Sequence, residues 1–350
     1  MNYNNILTQF QDKQIMIVGD IILDEYIWGD VNRISPEAPV PVIEICGERS
    51  GCGGAANVAQ NIVSLGGKAE LIGVVGKDRD GERMLQKLNS IGVGTTGICV
   101  DVLRHTSKKT RVIVQSDNTD SIQIPYNNKP DDEVPHHGQH LLRIDRETKQ
   151  EITGLVRTAI TNPFRSQLPY TDAIIFADYD KGVFSSKLIN ELVNLAKLFS
   201  VPIVVDPKHE NFWHYKEVTA LTPNHKEAGD AKQKEITDES SLIEIGVNIL
   251  DQLSLHTLLI TREEKGMSLF QRDSNGDLQV EHIPPHSTEV IDVTGAGDTV
   301  VSVFSLALAA GADNYSAAIL SSIAGGIVIG KMGCANVTPD EIHDAIVKWK

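Results

Sequence analysis

The sequence predicts an α/β protein: a doubly wound, largely parallel sheet with helices on both faces, plus a small β-rich appendage. Three observations lead there. Residues 14–19, 172–177 and 202–208 each contain a short, unbroken apolar run. Such runs suit central parallel strands, which are apolar on both faces rather than alternating. From residue 147 onward, strand-like and helix-like stretches follow each other as βα units. The segments 31–50 and 97–145 hold short extended pieces with no helix between them. They are therefore expected to form a separate small β-layer over one body spanning residues 1–350.

In chain order, residues 14–19 form a first strand ending at Gly19-Asp20. Polar ligands of open α/β sheets collect beyond the carboxyl ends of strands. Asp20 is therefore a candidate ligand residue, with Asp24 one step further; the alternative is a turn residue capping its own backbone. Pro36, Pro39 and Pro41 exclude helix from 31–50 and leave an edge strand. Next comes Gly53-Gly54-Ala55-Ala56-Asn57, leading into an amphipathic helix with Val58, Ile62 and Leu65 on one face. Either a ligand comes close to this backbone, with the Asn57 amide reaching hydroxyls, or small residues serve close helix–sheet packing. Strand 69–76 and helix 82–90 follow, then strands 97–103 and 109–115 and an extended stretch at 141–145. Residues 116–139 read as loop, and His136-His137 within it as solvated rather than metal-binding, lacking partner ligands at suitable spacing.

The second half gives helix 147–160, strand 172–177, helix 185–199, strands near 202–206 and 218–222, and a helix from His225. Helix 240–253, strand 257–261 and an antiparallel edge at 267–271 and 278–283 come next. Helices 300–310 and 315–329 and a last one after Pro339 end the chain. Polar residues recur just after strands: Asp178, Lys181, Asp206, Lys208, Asn224 and Arg262. In a doubly wound sheet they share one rim.

The chemistry centres on Thr294-Gly295-Ala296-Gly297-Asp298, just before a long apolar helix. Gly295 and Gly297 allow a tight turn without a Cβ in the way. The N–H groups of residues 295–297 lack partners within the coming helix, and its macrodipole favours an anion there. A carboxylate in such a hole would repel a phosphate if it only assisted binding. Asp298 makes more sense as a base for an attacking hydroxyl, the alternative being a helix cap. An anion hole, a base and rim groups able to reach a hydrated cation are the parts that phosphoryl transfer needs. Neither GxxxxGK[ST] nor GxGxxG after the first strand occurs, which counts against a P-loop and a Rossmann site.

The 350 residues carry a formal charge of −15, which argues against nucleic-acid or anionic-membrane surfaces. The start of the chain shows no signal-peptide pattern. Cys46, Cys52, Cys99 and Cys334 have no metal spacing and read as reduced thiols of a cytoplasmic protein.

Asp292-Val293-Thr294-Gly295-Ala296-Gly297-Asp298 resembles the D-T-x-G-A-G-D signature of the ribokinase-like (PfkB) carbohydrate kinases, and Gly53-Gly54-Ala55-Ala56-Asn57 resembles that family's other signature. The resemblance covers essentially the whole chain. It implies a three-layer αβα sandwich with a small β-sheet lid that often makes a dimer interface, and it implies ATP and Mg²⁺. It implies Asp298 as base, residues 295–297 as anion hole, and Asn224 and Glu227 in the metal and phosphate network, Glu227 through water. It also implies Thr261, Arg262, Gly266 and Val293 at the nucleotide, and Asp20, Gly53, Gly54 and Asn57 at the sugar.

Within the family, Arg33-Ile34-Ser35-Pro36-Glu37, Asp178-Tyr179-x-Lys181-Gly182, Asp206-Pro207-Lys208 and Gly330-Lys331-Met332-Gly333 resemble the D-glycero-D-manno-heptose 7-phosphate kinases. This implies phosphorylation of the anomeric hydroxyl of an already phosphorylated sugar, and the stand-alone form of that kinase. Two departures stand out: segment 116–139 is long for its place, and Ser322 replaces an asparagine expected near adenine. A phosphorylated substrate needs local cations. Candidates are Lys108, Lys109, Arg111, Lys181 and Lys208, with Lys208 favoured and Lys108 and Lys109 reading as surface cations. Rival readings are another sugar or nucleoside kinase of this fold, such as a ribokinase or phosphofructokinase, and a non-catalytic sensor that would not need Asp298.

Overall fold

The computed structural model describes residues 3–114, 139–286 and 290–348. Of the loop expected at 116–139, residues 116–138, with His136 and His137, lie outside them. Three α-helices and four strands come first in the order that sets the fold. After α1 (Tyr3–Thr8), β1 runs from Gln14 to Ile34 and β2 from Pro41 to Gly54; α2 (Ala55–Ser64), β3 (Lys68–Gly76), α3 (Arg79–Ser90) and β4 (Gly94–Asp101) follow. Then come β5 (Ser107–Val114), β6 (Gln139–Arg146), α4 (Gly154–Gln167), β7 (Ala173–Ala177), α5 (Ser186–Leu198), β8 (Ile203–Asp206) and β9 (Ala220–Leu221). The chain closes with α6 (His225–Ala231), α7 (Glu239–Gln252), β10 (Thr257–Thr261), β11 (Met267–Arg272), β12 (Leu278–Ile283), α8 (Ala296–Ala309), α9 (Asn314–Ile329) and α10 (Pro339–Lys348).

The main sheet has the order β12-β11-β10-β9-β8-β7-β1-β3-β4. Its strands are parallel except at the β10-β11-β12 edge, where pairing is antiparallel. β1 lies inside it and alternates between two apolar cores. Ile15 and Ile17 pack with α2, α8 and α9; Met16 and Val18 pack with α4, α5 and α7. Covering both faces explains the unbroken apolar run and makes the body a three-layer sandwich. Helix starts are set by capping side chains: Asp78, Thr153, Ser185, Asn224, Asp238 and Asp313 each accept an N–H of the first turn.

The sequence reading needs correction in three places. β1 does not end at Asp20. It is 21 residues long, continues to Ile34, leaves the main sheet and pairs with β2 from Ile21↔Gly54 to Ile34↔Pro41. The second sheet is therefore the distal half of β1 with β2, β5 and β6. The strand expected at 97–103 is not part of it: β4 pairs with β3 at the edge of the main sheet. The helix expected at 147–160 begins only after Thr153, whose hydroxyl accepts the Val156 N–H.

Close strand packing fixes one glycine. A Cβ on Gly19 would stand 2.1 Å from the Ala177 carbonyl oxygen, between paired β1 and β7. Gly19→Ala is expected to destabilise the protein by about 1–3 kcal/mol, the usual range for overpacking a filled core. Urea unfolding checks this; an unchanged midpoint would show that the two strands separate freely.

Candidate active site

A cavity of about 240 Å³ opens where the two sheets meet, beyond the ends of the parallel strands. β1 supplies Ile22 and Asp24, β5 supplies Lys109 and Arg111, and the loop after β7 supplies Tyr179. Asp206 ends β8 and Lys208 follows it, Asn224 and Glu227 begin α6, and Thr261 ends β10. Thr294, Gly295, Gly297 and Asp298 come from the turn into α8.

That turn has the expected form. Gly295 is the N-cap of α8 with φ +81°, a left-handed conformation. Ala296 is the exception to the expected hole, since its N–H turns back onto the Val293 carbonyl at 3.3 Å. The N–H groups of Gly295 and Gly297 carry no hydrogen bond among the described residues, so the hole has two free donors. A Cβ on Gly297 would meet no protein atom within 4 Å. The space above this turn is left to a ligand.

Asp298 is buried, and both its oxygens are held. Asn57 Nδ2 donates to Oδ2 at 2.6 Å, and the Tyr179 hydroxyl donates to Oδ1 in a short hydrogen bond. Burial pushes the Asp298 carboxyl above its ordinary value, while the Asn57 and Tyr179 hydrogen bonds and the Lys208 charge pull it back. Burial, then the Asp298 charge, push the Tyr179 phenol well up, so it remains a donor. Asn57 thus reaches the base rather than a sugar hydroxyl through its amide nitrogen. Its Oδ1 is buried with no partner among the described residues.

Asp20 does not line the cavity. Its carboxylate accepts the backbone N–H groups of Tyr179, Lys181 and Val183 at 2.8, 3.2 and 3.2 Å. It shapes the distant loop that carries Tyr179, and it is not a turn residue capping its own backbone, because it lies within β1. The carboxylate that faces the cavity is Asp24. It is 4% exposed and paired with Arg111 Nη1 at 2.6 Å. The two early glycines serve this pairing of strands. A Cβ on Gly53 would stand 2.4 Å from Asp24 Oδ2, and Gly54 adopts φ +57° and lines the cavity.

On the opposite wall Lys208 bridges two carboxylates, 2.5 Å from Glu227 Oε1 and 3.6 Å from Asp206 Oδ2. Glu227 also closes a capping box with Asn224. Burial, with Glu227 and Asp298 nearby, pushes Asp206 up to about 7 against the pull of Lys208. Lys208 is therefore a partner of acids rather than the free phosphate-binding cation expected. Lys181 lies outside the cavity and pairs with Glu147 at 2.6 Å. Lys108 pairs with Glu25 and Asp80. Lys109, expected at the surface, is half-buried and lines the cavity.

At the nucleotide end Thr261 bridges to Asn224 and lines the cavity. Arg262 does not line it; its guanidinium donates to Ser268 Oγ at 2.8 Å. Gly266 adopts φ +74° in the β10–β11 turn, where a Cβ would meet the Ile283 carbonyl oxygen at 2.1 Å. Val293 is exposed beside the glycine turn. Ser322 is buried and donates to the Pro284 carbonyl at 3.0 Å, so its hydroxyl is spent on the backbone. The sequence reading missed Tyr179 as a site residue and placed Asp24 only as the step beyond Asp20. Period-two alternation from Asp20 through Ile22 would have found Asp24, had β1 been carried past Gly19.

Among the described residues no group of three or more His, Cys, Asp or Glu is arranged to hold a metal ion directly. Asp206 and Glu227 still offer the hard oxygen donors that Mg²⁺ takes, and Mg²⁺ keeps several waters with few protein ligands. The side chains present fit a hydrated ion. No helix of the described residues is long and apolar enough to cross a membrane.

Comparison with known proteins shows the family. The family model described as pfkB family carbohydrate kinase matches residues 12–162 and 166–341. The bifunctional protein HldE of Geobacter metallireducens is 39% identical over 341 residues, covering 97% of this chain and 64% of its own length. HldE of Desulfatibacillum aliphaticivorans is 40% identical over 333 residues, covering 95% and 63%. The chain thus spans less than two thirds of the curated relatives it matches. Arabidopsis thaliana ribokinase complexed with ribose and ATP superposes with a TM-score of 0.69 at 15% identity, covering 95% of this chain and 98% of that one. Escherichia coli phosphofructokinase-2 in complex with potassium gives 0.71 at 15% identity, covering 96% and 98%. The chain belongs to the pfkB family of carbohydrate kinases. It has the ribokinase-like fold.

The role expected of Asp298 is that of a base, which works ionised, so activity is expected to fall as pH drops through its pKa. The Tyr179 hydrogen bond lowers the pKa of Asp298, and its loss raises it. Tyr179→Phe is therefore expected to move the acid limb of the kcat/KM profile to higher pH, and Asn57→Leu to move it the same way. A limb that stays in place or moves down would show that neither contact tunes the base.

Proposed function

We propose that this kinase transfers the γ-phosphoryl group of ATP to the anomeric hydroxyl of D-glycero-D-manno-heptose 7-phosphate. The product would be the 1,7-bisphosphate, a precursor of ADP-heptose and the lipopolysaccharide core, made in the cytoplasm. The observation that carries the reading is the Asp298 carboxylate. It faces one cavity with free glycine N–H groups on one side and Lys109 and Arg111 on the other. The HldE relatives and the heptose-kinase motifs support the choice of sugar.

In this reading the acceptor hydroxyl gives its proton to Asp298 as its oxygen attacks the γ-phosphorus. The bond to the bridging oxygen breaks and ADP leaves. Asn57 and Tyr179 hold the carboxylate so that a lone pair faces the acceptor. The Gly295 and Gly297 N–H groups take up charge on the transferring oxygens without rearrangement, as a preorganised anion hole does. Asp206 and Glu227, joined through Lys208, would hold Mg²⁺ through its waters; the ion supplies charge neutralisation on the polyphosphate. We place a homodimer contact on the second sheet, where Ile34, Val40, Ile45 and Ile144 are exposed.

Asp298→Asn is expected to cut kcat by about 10²–10⁴-fold, the range for loss of a general base, with ATP affinity nearly unchanged. Steady-state kinetics and nucleotide titration check both halves, and near-normal turnover would remove Asp298 from its role. A substrate panel of ribose, fructose 6-phosphate and the heptose 7-phosphate with EDTA controls tests the rest. Turnover is expected with the heptose phosphate and to vanish with EDTA. A preference for ribose would overturn the assigned substrate.

A further inference from the structure

Lys109 is the exception among the cations around the cavity. Arg111, Lys108, Lys181 and Lys208 each face a carboxylate within 4 Å. Lys109 has no such partner among the described residues; its ammonium stands 5.9 Å from the centroid of the Tyr179 ring. The register of β5 on β6 explains why. Lys109 lies opposite Asp145, and Arg111 lies opposite Arg143. Residues two apart on a strand, and residues directly opposite in an antiparallel pair, share a face. Lys109, Arg111, Arg143 and Asp145 therefore share one face, and it is the cavity face, because Lys109 and Arg111 line the cavity.

Asp145 is not free to neutralise Lys109. Arg143 folds back onto it with two parallel bonds of 2.9 Å, Nε to Oδ1 and Nη2 to Oδ2. Asp24 is taken by Arg111. Three cations thus meet two carboxylates on this wall. Two guanidinium groups directly opposite each other are unfavourable without an intervening anion. Burial first, and then the charges of Lys181, Arg111 and Arg143, push the Lys109 ammonium below its ordinary value against the attraction of Asp24. An unpaired, partly dehydrated lysine among like charges in a protein of net charge −15 is costly unless an anion binds there.

We infer that this wall is a subsite for a phosphate monoester dianion carried by the acceptor, with Lys109 its direct partner and Arg143 the second. Tyr179 sets the reach. Its hydroxyl lies on the Asp298 base and its ring lies beside Lys109, so the two ends of one sugar phosphate span a single aromatic side chain. The inference rests on the kinase reading above and assigns the end of the acceptor that does not react.

The test compares kcat/KM for the heptose 7-phosphate and for the same sugar without its phosphate, in wild type, Lys109→Met, Arg143→Gln and Lys109→Arg. The wild-type preference for the phosphorylated form is expected to fall at least tenfold in Lys109→Met and less in Arg143→Gln. Lys109→Arg should restore most of it. Equal losses on both sugars, or an unchanged ratio, overturn the subsite while leaving the proposed reaction standing. If the wild type turns over only unphosphorylated sugars, the proposed substrate fails. The subsite is then judged by inorganic phosphate: a rise in Tm in wild type that is lost in Lys109→Met keeps it, and no rise rejects it.

Discussion

The grip on the Asp298 carboxylate organises this molecule. It joins three pieces of chain that are far apart in sequence: α2 through Asn57, the loop after β7 through Tyr179, and the first turn of α8. Each piece is anchored in turn. Asn61 Oδ1 accepts the Thr299 hydroxyl at 3.0 Å, and Ser302 Oγ contacts the Val58 carbonyl, so α8 is tied to α2 below the site. Asp20 gathers three N–H groups of the loop that presents Tyr179. A buried carboxylate without such partners would cost several kcal/mol and would simply take up a proton. Here the same contacts that offset burial also fix the direction in which the carboxylate faces.

Much of this was legible in the sequence because it depends on local pattern. Continuous Val/Ile runs marked the central strands, and the Gly295–Gly297 turn before an apolar helix marked the anion hole and its carboxylate. The Gly53–Asn57 stretch was legible as a close approach, though what approaches is Asp24 and the base rather than only a sugar. The illegible parts depend on pairing across the chain. Nothing near Gly19 signals that β1 runs on into a second sheet, since that follows from its partners β2 and β5. Asp20 and Asp24 look equivalent in the sequence; only the fold of residues 178–183 shows that the first is consumed by backbone. Lys208 and Lys109 exchanged expected roles for the same reason. Ion pairing is a property of the assembled rim, not of position after a strand.

The charge distribution follows a consistent logic. An acidic protein that handles anionic substrates must place its positive charge locally. It does so by pairing nearly every rim cation with a carboxylate, which fixes geometry at the expense of available charge. Among the described residues, what remains for ligands includes two glycine N–H groups at one end of the cavity and Lys109 at the other.

The length of β1 carries a consequence of its own. One strand belongs to two sheets, so its pleat is a reading frame shared by both. Inserting or deleting a single residue between Asp20 and Asp24 would invert every distal side chain. Ile22 and Asp24 would leave the cavity and Leu23 would enter it. The pairing from Ile21↔Gly54 to Ile34↔Pro41 would slip by one, while the half between Gln14 and Gly19 stayed in place. Side chains along this strand can be exchanged one at a time, but its length cannot change without separating the site from the body that supports it.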